Sequence, residues 1–155
     1  MVDFKWIITE DLVNYPFEGD PRKEDLDIGG DFCMMLNNQK WGDVLPAEAY
    51  ETIEGLENLM YLFEQFKEKV LPLDNYAEAN VRSVLLVRIV LVFTRVNDKL
   101  FISEKINKTG EIRWTVEVGF REFCKVCEAN IKEFRETVIK RNPILAENES
   151  IKRLS

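Results

Sequence analysis

The chain has 155 residues, the length of one ordinary domain, and its 46% hydrophobic and 32% charged content excludes global disorder. The net charge of −7 is uneven: residues 1–80 carry 18 acidic and 6 basic side chains, and residues 81–155 carry 10 and 15. An acidic first half repels phosphate backbones and attracts basic surfaces, so a basic protein is the expected partner and nucleic acid is not.

In chain order, Phe4 to Thr9 reads as a first strand, and residues 14–30, with two prolines, three glycines and a run of charge, as a long loop. Asp31 to Leu36 is a short apolar run, and Asn37-Asn38 turns it into Gln39–Asp43. Pro46 opens a helix over residues 47–70, with Ile53, Leu56, Leu59, Met60, Phe63, Phe66 and Val70 on one face. Pro72 stops it. Val81 to Val96 reads as one strand covered on both faces, with Arg88 inside it in need of a partner. Short turns at Asn97-Asp98-Lys99 and Lys108-Thr109-Gly110-Glu111 lead into Leu100–Ile106 and Ile112–Val118, where Ile112, Trp114, Val116 and Val118 alternate with polar residues. A second helix over residues 120–141 presents Phe123, Cys127, Ile131, Phe134 and Val138 on its buried stripe and ends at Asn142-Pro143. The expected architecture is a single α+β domain over residues 1–155: an antiparallel sheet of about five strands, two long helices packed on it, and a loose tail over 144–155.

The chain contains no histidine, which removes Ser-His-Asp and Cys-His catalysis and histidine-bearing zinc sites together. No phosphate-binding glycine motif and no G-x-S-x-G turn occurs. Cys124-Lys-Val-Cys127 has the C-x-x-C spacing, but it sits one turn inside a helix in an antiparallel setting, and Cys127 falls on the apolar stripe. Core packing is therefore preferred to redox exchange or metal binding. No catalytic residue, metal or cofactor is expected. The odd count of three cysteines suits reduced thiols in a cytoplasm. Met1 to Trp6 lacks the pattern of a secretory signal, and the longest apolar run, Val84 to Phe93, is too short for a membrane span.

The binding candidates lie on the first helix. Glu54, Glu57, Tyr61, Glu64 and Glu68 recur at three- and four-residue spacing and form one acidic stripe beside the apolar face. The stripe reads either as a solvated helix side or as a docking surface for a basic partner, with Tyr61 as an amphipathic anchor. Trp41, between Lys40 and Gly42, is a further contact candidate, against core or loop packing.

The segments Asp31–Asp43 (DFCMMLNNQKWGD) and Ile112–Phe123 (IRWTVEVGFREF), the latter running into a long amphipathic helix, resemble small bacterial immunity proteins of polymorphic or contact-dependent toxin systems. The resemblance implies a cytoplasmic protein that binds and blocks a toxin domain and has no activity of its own; it carries over no binding residues. The competing expectations are another non-catalytic adaptor and an enzyme of thiol or carboxylate type.

Overall fold

The computed structural model describes residues 1–43 and 57–155. Among them, eight strands form two antiparallel sheets of four. The first sheet takes β1 (Val2–Ile8), β2 (Gly29–Leu36) and β3 (Gln39–Asp43) in that order, and the two-residue β4 (Glu57–Asn58) pairs with the start of β2. The second is a meander of β5 (Glu78–Arg82), β6 (Ile89–Val96), β7 (Lys99–Ile106) and β8 (Ile112–Gly119). The α+β class and the antiparallel order hold, but there are two sheets where the sequence suggested one.

Local chemistry sets the turns. Asn37 and Asn97 adopt left-handed φ angles of 56° and 55° in the β2–β3 and β6–β7 hairpins, a conformation asparagine tolerates better than most residues. The reading of 81–96 as one strand fails at Ser83. Its hydroxyl accepts the Leu86 N–H at 2.9 Å and holds a turn, a local alternative to the ladder that serine side chains offer. The ladder resumes at Ile89, and Arg88 lies exposed in the loop rather than within a covered strand.

The helix expected over 47–70 is seen as α1 (Leu59–Gln65), continued by a wider π turn, Phe66–Val70; residues 47–56 lie outside the described residues. Asn58 caps α1 by accepting the Tyr61 N–H at 3.1 Å, which explains why the helix starts where β4 stops. Gln65 then docks the helix on the edge of β5: its amide accepts the Arg82 N–H and donates to the Arg82 carbonyl, both at 2.8 Å. The second helix, α2 (Phe120–Arg141), buries the expected stripe of Phe123, Cys127, Ile131, Phe134 and Val138.

One core joins both sheets and both helices. Phe66 lies at its centre, 5.8 Å from the rings of Phe4 and Phe32 in the first sheet, 6.1 Å from Phe93 in the second and 6.2 Å from Phe123 of α2. Residues 144–155 are not a loose tail. A 3₁₀ turn (Pro143–Glu147) and α3 (Glu149–Arg153) bury Leu145, Ile151 and Leu154 in that core.

Candidate docking surface

An acidic surface is built from the β1–β2 connection, a segment with little regular structure that is fastened at many points. Asp20 organises its tip: its carboxylate accepts the Arg22 backbone N–H at 3.0 Å and pairs with the Arg22 guanidinium at 3.2 Å. Glu24 accepts the Glu18 N–H at 2.7 Å, and the Tyr15 hydroxyl accepts the Asp27 N–H at 3.1 Å. The C-terminal segment supplies the rest. Asn148 is fully buried; its amide nitrogen donates to the carbonyls of Pro21 and Glu24, and its amide oxygen caps α3 through Ser150 and Ile151. Asn142 donates to the Leu12 carbonyl, and the Glu149 N–H to the Arg22 carbonyl. These bonds satisfy backbone groups that a loop would otherwise leave to water.

Held this way, the connection gathers Glu10, Glu18, Glu24, Asp25 and Asp27 with Tyr15 around a groove of about 450 Å³. Burial pushes the Tyr15 phenol above its ordinary pKa, and the negative charge of Glu24, Glu10 and Asp27 adds to the shift. One oxygen of Glu24 is buried without a hydrogen-bond partner. Asp25 is shared with a second groove of about 280 Å³, lined also by Leu26, Asn58, Tyr61, Glu64 and Ser150. Burial raises the pKa of Glu64, and the nearby charges of Glu68 and Asp25 raise it further against the opposing pull of Arg153.

The stripe foreseen on the first helix is only partly this surface. Tyr61 (37% exposed) and Glu64 line the second groove, and Glu68 is exposed one turn further on. Glu57 does not point to solvent. It is buried in β4, where its carboxylate accepts the Ser83 hydroxyl and the backbone N–H groups of Val84 at 2.9 Å and Asn58 at 3.2 Å. Glu54 lies outside the described residues. Trp41 is no exposed contact either; it is buried, with its ring 6.1 Å from that of Phe32. The carboxylates of the β1–β2 connection were visible in the sequence as a charge run, but not as a groove, because contacts with the C-terminal segment assemble them.

The C-x-x-C pair gives no sign of an activated thiol. Cys127 is buried and its pKa is pushed far up by burial, with Cys124 and Glu128 adding to the rise; burial also raises Cys124, which is half-exposed. Among the described residues, no three His, Cys, Asp or Glu side chains stand close enough to hold a metal ion together, and no helix is long and apolar enough to cross a membrane. Compared with protein-family models, curated proteins and solved structures, the chain shows no significant match to any.

Proposed function

We propose that the chain is a non-catalytic binding protein whose acidic grooves receive a basic protein surface, and that it acts as an immunity protein against a basic toxin domain. The observation that carries this reading is the gathering of Glu10, Glu18, Glu24, Asp25 and Asp27 around Tyr15 on a connection locked by buried side chains. Carboxylates on so well tied a backbone are pre-organised, so little ordering cost is left for binding. Clustered negative charge steers a cationic surface into encounter, and a phenol amid carboxylates offers contact area with few rotatable bonds. A toxin that handles nucleic acid would present the phosphate-binding surface such grooves complement. The reading includes a cytoplasmic setting, which the odd count of three cysteines suits.

The test is protection. The chain is co-expressed with toxin domains encoded beside its gene, and survival is compared for the wild type and a Glu18→Lys/Asp25→Lys/Asp27→Lys variant. Immunity predicts survival with the wild type and loss of protection with the folded variant. Equal protection by both rejects the acidic grooves, and no protection by either favours an adaptor role.

A further inference from the structure

A cavity of about 400 Å³ opens where three elements meet: the π turn, the middle of α2 and the end of the C-terminal segment. This volume lies within the range of about 300–1,000 Å³ that small-molecule sites occupy. Leu71, Ile131 and Leu154 give it an apolar wall, and Lys67, Lys132 and Arg135 give it three cations. The π turn contributes Lys67 and Leu71. It is closed by the Leu71 N–H, which donates at 2.9 Å to the Phe66 carbonyl five residues back. Such wide turns are rare in helices and recur at functional sites.

The cations are unspent. Arg135 Nε is buried without a hydrogen-bond partner. Among the described residues, the side chains of Lys67, Lys132 and Arg135 make no hydrogen bond or ion pair. A dry N–H without an acceptor is costly to leave in a fold, and an acceptor arriving from outside relieves it. The planar guanidinium matches a carboxylate or a phosphate. Glu128 and Glu136 line the same cavity and decide between the two, because their charge repels a phosphate dianion more strongly than a singly charged carboxylate. The apolar wall then asks for a body that water does not hold.

This cavity shares no lining residue with either acidic groove. Nor is it lined by the residues on either side of 44–56. Asp43 and Glu57 belong to strands that pair with β2 on the edge away from β1, whereas α2 is bonded to β1 through Trp6 and Asn130 at 3.1 Å.

We infer that the cavity binds a small amphipathic monocarboxylate, its carboxylate on Arg135 with Lys67 and Lys132 beside it, and its apolar body against Leu71, Ile131 and Leu154. This goes beyond the proposed function and is tested with no toxin present, so each can fail without the other. The test is calorimetric titration of the full chain with octanoate, octanol and inorganic phosphate, with Tm followed in parallel. One octanoate is expected to bind per chain and to raise Tm, as a ligand of the folded state does. Octanol and phosphate are each expected to bind at least about tenfold more weakly, the loss that a missing charged hydrogen bond brings. Arg135→Gln, with an unfolding midpoint near that of the wild type, should weaken octanoate by a similar factor, and Leu71→Asp should abolish its binding. Should Arg135→Gln not fold, the exposed Lys132→Gln decides by a several-fold loss. No saturable octanoate binding would overturn the inference, as would octanol or phosphate binding as tightly as octanoate. Folded Arg135→Gln and Lys132→Gln variants that bind octanoate like the wild type would overturn it too.

Discussion

Glu57 and Glu68 fall on the same acidic stripe in the sequence, yet one is buried at a clasp and the other is exposed. Replacing Glu57 with alanine leaves the Ser83 hydroxyl and the Val84 N–H without their acceptor, a loss of about 1–3 kcal/mol. Glu68→Lys is expected to change stability by no more than about 0.5 kcal/mol. Urea unfolding of the two variants checks the contrast; equal midpoints would mean that the clasp contributes nothing. Glu64 makes a separate prediction about pH. Its folded pKa is raised by burial above the ordinary 4.5, so the folded state holds the proton more tightly than the unfolded chain. The resulting stability is complete below about pH 4.5 and is lost as pH rises through the folded pKa. Glu64→Gln should therefore raise Tm relative to the wild type at pH 7, and the gain should shrink as pH falls through the raised folded pKa and vanish below the ordinary glutamate value. A gain that grows on acidification would contradict this.

At the scale of elements, the C-terminal segment matters most. Leu145, Ile151 and Leu154 are buried, and each contributes roughly 1.5–3 kcal/mol by its burial. Against a typical domain stability of about 5–15 kcal/mol, removing residues 143–155 is expected to leave the chain largely unfolded. Asn148→Ala is the milder probe: it uncaps α3 and frees the Pro21 and Glu24 carbonyls, and hydrogen exchange should rise in the β1–β2 connection as well as in α3. Exchange confined to α3 would show that the connection holds itself.

The same element explains what the sequence could reveal. The stripe of α2 was legible because 22 residues give its period time to repeat. The five residues of α3 give one turn and no period, so its apolar residues looked incidental. The break at Ser83 was hidden among β-branched neighbours, since one serine hydroxyl and a glutamate 26 residues away decide it. Likewise the acidic groove depends on bonds such as that from Asn148 to Pro21, 127 residues apart, which no local pattern reports.

For the whole molecule, the charge asymmetry is both a surface property and the substance of the account. Eighteen of the 28 acidic residues lie in the first 80 positions, and the β1–β2 connection brings several of them to one side. Charge of this kind acts mainly on the rate of encounter, and salt screens it beyond a Debye length of about 8 Å at physiological ionic strength. The most direct measurement is stopped-flow association with the basic partner at low and high salt, for the wild type and for Glu18→Lys/Asp25→Lys/Asp27→Lys. The wild type should associate rapidly and slow steeply as salt rises. The variant should associate more slowly, at a rate that salt hardly changes, with its unfolding midpoint close to that of the wild type. An unchanged rate with an unchanged salt dependence would contradict the account and leave the acidic grooves as solvated surface.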